Sequence, residues 1–290
     1  MKPLRLPFAV LLMLLLAGLA LAQWRRNPTP QARTVREIPS DTGEDPPTWK
    51  LDPEFAKDAF TFARVRYSSI SRRGWDRRAG DWTTDAPDSD LNFSFRLQQM
   101  TSIRTNPDGD IVDLTDPKLF DYPWIYIVEP GRLIFSDEEV AMLRRYLVNG
   151  GFLMVDDFWG EAQWENFYQE IKRVFPKREP EELEMSHQIF HCVFDIKLDK
   201  QQMQIPNFWT GERSQDTGVT WEDGHGEDSH DVHFKAIFDD QRRMMVFIAH
   251  NTDNGDGWER EGAYQYYFRE FSEKKAYPLG INVVFYAMTH

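Results

Sequence analysis

Three short stretches of the chain are apolar without interruption. They are WIYIV at 124–128, FLMV at 152–155 and MMVFIA at 244–249. An uninterrupted apolar strand fits a parallel sheet that is covered on both faces, because neither face of such a strand meets water. Two weaker strand candidates lie earlier in the chain, at 60–67 and 111–114. These positions predict a mainly parallel sheet.

Amphipathic helices are predicted between and after the strands. Apolar residues recur with helical spacing at 91–103, 137–149, 161–175 and 281–288. Ser136 and Glu139 have the spacing of a capping box at the start of the second of these helices. Alternation of strands and helices is typical of right-handed βαβ units. The predicted fold is α/β, with a doubly wound, mainly parallel sheet in a three-layer α/β/α arrangement.

The first 58 residues lack the alternation of predicted strands and helices that the rest of the chain has. Lys2 and Arg5 precede an apolar run of 16 residues that ends in Ala20-Leu21-Ala22, which is the form of a secretory signal peptide. A membrane-spanning helix needs about 17–25 apolar residues, so cleavage is expected, with a retained anchor as the alternative. Residues 1–22 are therefore interpreted as a signal, the proline-rich residues 23–58 as a linker, and residues 59–290 as a single α/β domain.

Composition and charge narrow the classes of partner. The 290 residues include 34 Lys+Arg and 47 Asp+Glu, a formal charge of −13. Nucleic-acid binding is not expected, because neutralising phosphates requires basic side chains. The single cysteine excludes an intramolecular disulfide and any zinc site that needs two cysteines. We expect a periplasmic or extracellular protein with no membrane span after signal cleavage, whose partner is an envelope protein, a polar ligand or a glycan.

Polar residues follow the carboxyl ends of the predicted strands, where open parallel sheets bind their ligands. The candidate ligand-binding residues at these ends are Glu129, Arg132, Asp157, Trp159, His250, Asn251 and Asp253. Asp156, Asp157 and His250 are also the candidates for catalysis.

The acidic pair at 156–157 has two interpretations. Paired carboxylates suit metal binding or acid–base chemistry. Adjacent side chains on a strand point to opposite faces, however, so Asp156 and Asp157 converge only if the chain bends sharply there. Asp157 could instead cap the following helix. For His250 and Asp253 the alternative is a turn, which favours Asn, Asp and Gly for backbone reasons. No cofactor is predicted, and a divalent metal is left open.

Several long segments, taken in order, resemble the bacterial family known as domain of unknown function 4159. The resemblance covers about residues 59–290, and the segments are DAPDSDLNFSFRLQQMTSI, EPGRLIFSDEEVAMLRRYLVNGGFLMVDDFWG, SHQIF, HNTDNGDGWE and YPLGINVVFYAMTH. It implies a flavodoxin-like fold of the class I glutamine amidotransferase type, and no activity is established for the family.

The implied fold can be compared with the chain at one position. In amidotransferase-like proteins a catalytic cysteine lies in the sharp turn after the strand that follows a Gly-Gly helix stop. Here that turn is Asp156-Asp157-Phe158, and the cysteine is Cys192, far downstream. Amide transfer requires the thiol, so glutamine hydrolysis is not expected. Carbohydrate-related relatives of this fold also lack the cysteine, which leaves open a sugar or metal site that includes His187.

Two functions follow from these observations. The preferred one is a non-catalytic envelope module whose strand-end cleft binds a polar ligand, a glycan or a partner segment, because no activated nucleophile is present. The alternative is a hydrolase that uses carboxylates and histidine, with or without a metal, on a polar or carbohydrate substrate. The sequence therefore favours the binding module over the hydrolase, and both functions stay open at this point.

Overall fold

The structure is a computed structural model that describes residues 32–40, 42–43, 45–70 and 81–290. The predicted signal peptide at 1–22 lies outside these residues. Among the helices that the structure describes, none combines the length and apolar character needed to cross a bilayer.

The regular elements are introduced here in chain order. The strands are β1 (Ala63–Arg66), β2 (Ser68–Ser69), β3 (Asp110–Asp113), β4 (Trp124–Val128), β5 (Leu133–Ile134), β6 (Phe152–Asp156), β7 (Glu181–Glu182), β8 (His233–Phe238) and β9 (Met244–His250). The α-helices are α1 (Asp88–Met100), α2 (Asp137–Val148), α3 (Gly160–Val174), α4 (Phe208–Thr217), α5 (Asn254–Glu259), α6 (Gln265–Tyr267) and α7 (Tyr277–Thr289), and a π-helix (Phe268–Ala276) joins α6 to α7. Short 3-10 helices lie at Val35–Glu37, Pro53–Phe55, Asp81–Thr83, Pro117–Asp121, Pro130–Arg132, Gln188–Phe190, Gln201–Met203, Asp223–His225 and Glu227–His230.

The central sheet has seven strands in the order β3-β1-β4-β6-β9-β8-β7. The first five are parallel, and β8 and β7 add an antiparallel edge. The connections lead from β1 to β3 in one direction and onward to β4, β6 and β9 in the other. The strand order therefore reverses between β1 and β4, and ligands of open α/β sheets bind at such a switch point.

Each face of the sheet has its own hydrophobic core. Trp124 and Tyr126 of β4 pack into one core with α1, α5 and α7. Ile125 and Ile127 pack into the other core with α2 and α3. This alternation follows from the two-residue repeat of a strand. The doubly wound, three-layer α/β fold predicted from the sequence is confirmed.

The predicted helices are present, and two of them begin earlier than their apolar pattern does. The capping box of Ser136 and Glu139 forms at the start of α2. Helix α1 begins at Asp88 rather than Leu91, because its first turn carries polar side chains that are buried by pairing rather than by hydrophobic packing. Helix α7 begins at Tyr277 because it continues the π-helix without a break.

The described part of the proline-rich segment lies against the domain. Val35 and Ile38 are buried in the core that contains α2 and α3. The Arg36 guanidinium donates to the carbonyl oxygen of Pro107 at 2.5 Å, and the Trp49 indole donates to that of Thr105 at 3.0 Å. These contacts hold this part of the segment to the sheet edge near β3.

Candidate functional site

The chain bends sharply directly after three adjacent parallel strands. Glu129 follows β4, Asp157 follows β6 and Asn251 follows β9, with φ angles of 45°, 57° and 60°. Left-handed backbone is strained for residues other than glycine, and such residues cluster at functional sites. In the part of the chain that the structure describes, Asp85 (φ 62°) and Arg242 are the other non-glycine residues with this conformation. The bend that the acidic pair needs is therefore present at Asp157.

The bend sends Asp156 and Asp157 to different partners. The buried Asp156 carboxylate accepts hydrogen bonds from the Tyr126 hydroxyl (3.0 Å), from Asn254 Nδ2 (2.7 Å), and from the amides of Asn254 (2.9 Å) and Gly255 (3.0 Å). Burial raises the pKa of Asp156 to about 6, and these hydrogen bonds oppose the increase. Asp156 thus anchors the amino end of α5 to β6, and its oxygens are occupied.

Asp157 belongs to a cluster of carboxylates from three separate segments. One oxygen each of Asp85, Asp157 and Asp253 lie within 4.8 Å of one another, and Asp85 forms a second group of the same kind with Asp256 and Glu259 of α5. We call these five residues the acidic centre. Its members come from the loop before α1, the end of β6, and the segment that begins after β9.

A buried ion pair holds the loop that carries Asp85. Arg64 of β1 is fully buried and pairs with both carboxylate oxygens of Asp90 in α1, at 2.7 and 2.5 Å. Arg64 also donates to the carbonyl oxygens of Trp82 and Thr84, each at 2.9 Å. The β1 strand therefore fixes both ends of the turn in which Asp85 lies.

A glycine allows Asp85 to approach helix α5. A Cβ atom on Gly255 would collide with Asp85 Oδ2. That oxygen is buried and has no hydrogen-bond partner among the described residues. A buried acceptor without a partner costs about 1–3 kcal/mol, so this carboxylate lacks a group that would satisfy it.

The other two members of the first group each accept one hydrogen bond from the part of the chain that the structure describes. Asp253 caps α5 by accepting from the amide of Asp256 at 2.7 Å. Asp157 Oδ1 accepts from the indole N–H of Trp159 at 3.1 Å. Among the described residues, none of Asp85, Asp157 and Asp253 forms an ion pair with a lysine or arginine. Arg64 offsets part of the charge at Asp85, but within the described ranges the three carboxylates meet without an ion pair of their own.

Burial and mutual repulsion favour the protonated forms of these carboxyl groups. Burial raises the pKa values of Asp85, Asp157 and Asp253 well above the usual range, and neighbouring carboxylates raise them further. Burial, together with Asp85, raises the pKa of Glu259 to about 10. A divalent cation could take the place of these protons, because metal binding and proton release are coupled.

One cavity adjoins the acidic centre through Asp157, and a second cavity lies next to the first. The smaller, about 200 Å³, is lined by Asp81, Glu129, Gly131, Arg132, Asp157, Trp159, Gln163, Glu222 and His225. The larger, about 380 Å³, is lined by Asn207, Thr210, Arg213, Thr217, Val219, Trp221, Glu222, Gly224 and His225. Glu222 and His225 line both cavities, so the two share a wall.

Most of the residues predicted from strand ends lie in the smaller cavity or in the acidic centre. Glu129, Arg132, Asp157 and Trp159 line the smaller cavity, and Asp253 lies in the acidic centre. Arg132 pairs with Asp81 at 2.5 Å. Burial, with the nearby charge of Asp81, raises the pKa of Glu129 to about 7.

The remaining predicted residues lie elsewhere and line neither cavity. His250 packs against Phe158 with ring centroids 4.7 Å apart, and burial lowers its pKa to about 3. Asn251 donates to the carbonyl oxygens of Asp228 (2.8 Å) and Asp231 (2.7 Å). His187 caps a 3-10 helix by accepting from the amide of Ile189 at 3.2 Å. The structure does not bring these three side chains into the acidic centre.

Several residues of the site were not among the predicted ones. They are Asp81, Asp85, Gln163, Glu222, His225 and Glu259. None of them directly follows a strand of the parallel sheet. The one sequence signal available for Asp85 was its place in the acidic segment DAPDSD at the start of a helix.

Comparison with known proteins gives a family but no function. A family model described as "Domain of unknown function (DUF4159)" matches residues 61–288. No curated protein matches the chain.

Proposed function

This chain belongs to the family of the domain of unknown function 4159, and we propose that it is an exported envelope protein whose acidic centre binds a divalent cation. The cation in turn binds a polar ligand that enters the smaller cavity. One observation carries the proposal: oxygens of Asp85, Asp157 and Asp253 lie within 4.8 Å of one another, and one buried oxygen of Asp85 has no hydrogen-bond partner among the described residues.

The donor set indicates the kind of cation. It consists of carboxylate oxygens, which suit Ca²⁺, Mg²⁺ and Mn²⁺ better than the softer metals that prefer sulfur or imidazole. A divalent cation would also balance the three carboxylates, which form no ion pair with a lysine or arginine of the described ranges. The residues of the centre thus fit a hard cation in both chemistry and charge.

The smaller cavity gives the ligand access to the cation. Asp157 belongs to the acidic centre and also lines this cavity. An oxygen of a ligand in the cavity can therefore reach a cation held by Asp157. Arg132 and Trp159 line the same space and provide a guanidinium and an aromatic ring for contact with the ligand.

The position of the cysteine supports a binding protein over a thiol enzyme. Cys192 is half-buried, and its thiol donates to the carbonyl oxygen of Asn282 at 3.3 Å. It lines neither cavity. A ligand in either cavity would not meet this thiol.

A second function, a cation-dependent hydrolase, is favoured by the position of Glu129. Its carboxylate lines the same cavity as Asp157. A carboxylate beside a cation-bound water can accept the proton of that water as it attacks a substrate. In this role Glu129 would be the base and Asp157 would help to hold the cation.

Cation binding is tested by thermal denaturation of the full chain after treatment with EDTA. Addition of Ca²⁺, Mg²⁺ or Mn²⁺ at about a hundredfold excess over the dissociation constant should stabilise the folded state by about 2.7 kcal/mol. Asp253→Asn should remove this effect, whereas Asp58→Asn, which changes an exposed carboxylate outside the centre, should retain it. Absence of a shift with all three cations would refute the proposal.

The two functions are separated by Glu129→Gln. A binding protein should show no cation-dependent hydrolysis of p-nitrophenyl acetate or p-nitrophenyl phosphate, with or without this substitution. Hydrolysis that requires the cation and is lost in Glu129→Gln, while cation binding persists, would establish the second function instead.

A further inference from the structure

The larger cavity has a wall built from one face of helix α4. Thr210, Arg213 and Thr217 line it and lie three and four residues apart, so their side chains share that face. Asn207, which caps α4, lies at the end of the same wall. Trp221 also lines the cavity. The cavity lining thus includes two hydroxyl groups, an amide, a guanidinium and an indole.

The guanidinium of Arg213 has no acidic partner within the described ranges. It donates a hydrogen bond to Thr210 Oγ1 at 3.3 Å, and it forms no ion pair with any residue of the described ranges. A guanidinium matches the geometry of a carboxylate and can bind both of its oxygens. Because the chain has an excess of acidic residues, an arginine at a cavity wall without a carboxylate partner favours an anionic group on the ligand.

The remaining side chains favour a ligand with many hydroxyl groups. Hydroxyl and amide side chains both donate and accept hydrogen bonds, as sugar hydroxyls do. An aromatic side chain offers a flat apolar surface and carries a polar group at one end. Trp209, next to the cavity residue Thr210, is 62% exposed and extends the aromatic surface beyond the cavity.

The two cavities suit a ligand of more than one unit. Ligand pockets commonly measure about 300–1,000 Å³, so the 380 Å³ cavity falls within this range and the 200 Å³ cavity falls below it. Their shared wall is held in place, since Glu222 accepts from Asn207 Nδ2 at 2.7 Å and His225 bonds Gln163 at 3.0 Å. A ligand that extended past Glu222 and His225 would contact the residues of both cavities, Asp157 in one and Arg213 in the other.

We infer that the ligand is an acidic oligosaccharide that spans both cavities. A carboxylate of one sugar unit binds the cation in the smaller cavity. A second unit occupies the larger cavity, with its carboxylate at Arg213 and its ring against Trp221. This inference rests on the proposed function, because it names the class of ligand for the same cation site.

The test is calorimetric titration of the full chain with trigalacturonate and, as a matched ligand, its methyl ester. The ester has the same sugar skeleton without the negative charges. In the presence of Ca²⁺, we expect trigalacturonate to bind at least about tenfold more tightly than the ester, since hydrogen bonds to charged groups contribute about 1.5–3 kcal/mol and 1.4 kcal/mol is a factor of ten. Equal affinity for acid and ester, or no saturable binding of either, would overturn the inference.

Substitution of the arginine shows whether the larger cavity is used. Arg213→Gln should weaken trigalacturonate binding about 10- to 100-fold and leave Ca²⁺ binding unchanged. Arg269→Gln, which changes an exposed arginine that lines neither cavity, should alter neither. If Arg213→Gln binds trigalacturonate as the unmodified chain does, the assignment of the larger cavity is wrong.

Cation and saccharide binding are measured separately, so their failures can be told apart. Ca²⁺ binding without saccharide binding would overturn this inference and leave the proposed function in place. Saccharide binding that persists in EDTA and still depends on Arg213 would support the larger cavity as a subsite and refute the route through the cation.

Discussion

Replacement of Asp157 by asparagine should have opposite effects on the cation-free and the cation-bound protein. Asparagine has nearly the same size, and its amide oxygen can still accept the hydrogen bond from Trp159. The substitution therefore removes a negative charge with little change in packing. We expect the free energy of unfolding to rise in EDTA and the stabilisation by divalent cations to be lost.

The distances in the acidic centre set the size of both effects. Two ionised carboxylates whose oxygens lie within 4.8 Å of each other repel each other by at least about 3.5 kcal/mol at an effective dielectric constant of about 20. Because burial keeps part of the centre protonated, the repulsion is smaller than this, and we expect Asp157→Asn to raise the free energy of unfolding of the cation-free protein by about 1–3 kcal/mol. The lost cation effect is about 2.7 kcal/mol at a hundredfold excess, which corresponds to roughly 5–10 °C in Tm for a domain of this size.

Urea denaturation at pH 8, followed by circular dichroism, measures both effects. Each protein is unfolded in EDTA and again with saturating Ca²⁺. Asp58→Asn is the matched control, because it removes an exposed carboxylate outside the centre and should respond to Ca²⁺ as the unmodified chain does. If Asp157→Asn is less stable in EDTA and keeps its full response to Ca²⁺, Asp157 is a structural residue and our reasoning about the centre is wrong.

Two further substitutions and a change of pH test how the acidic centre is built. Gly255→Ala places a Cβ against Asp85 Oδ2 and should cost about 1–3 kcal/mol of unfolding free energy and weaken cation binding in calorimetry, whereas Gly224→Ala, whose Cβ meets no atom, should change neither. Arg64→Met leaves a buried carboxylate unpaired and should cost about 3–5 kcal/mol in urea denaturation; a cost under about 1 kcal/mol would contradict this role. The pKa values of the acidic centre are raised in the folded state, so the folded protein binds more protons than the unfolded chain. The stability that these protons contribute is complete below about pH 4 and is lost as the pH rises. Because one of these pKa values reaches about 10, the EDTA-treated protein should lose stability between pH 5 and pH 9 more steeply than Asp157→Asn does, and parallel pH profiles for the two proteins would contradict the assignment.

The fold was predictable because its signals are local. Each uninterrupted apolar run became a strand of the parallel sheet, since a strand covered on both faces has no polar position. The spacing of Ser136 and Glu139 located the start of α2, because a capping box involves only four neighbouring residues. The antiparallel edge formed by β8 and β7 was not foreseen, because the pairing of Glu181 with Ala236 joins distant parts of the chain.

The candidate site was only partly predictable. The rule that ligands bind at strand ends located Glu129, Asp157 and Asp253, but it could not locate Asp85. That residue reaches the centre because Arg64 and Asp90 fix its loop, and a pairing across 26 residues leaves no pattern in the sequence.

His250 shows a second limit of the strand-end rule. It is the last residue of β9 rather than the first residue after it, and its ring packs against Phe158 and Trp164 on the side of α3. The sequence locates the end of a strand, but the side chain's direction depends on the register and on the turn that follows. Asn251, the first residue of that turn, holds the segment before β8 by donating a hydrogen bond to the carbonyl oxygen of Asp231.

The hydrogen bond between Trp159 and Asp157 makes the site observable by its own fluorescence. The indole N–H lies 3.1 Å from a carboxylate oxygen whose charge changes when a proton leaves or a cation arrives. An indole beside a changing charge should shift its emission, so binding can be followed in a stopped-flow instrument without an attached dye. Although the chain has ten tryptophans, the difference between the unmodified protein and Trp159→Phe isolates the signal of this one.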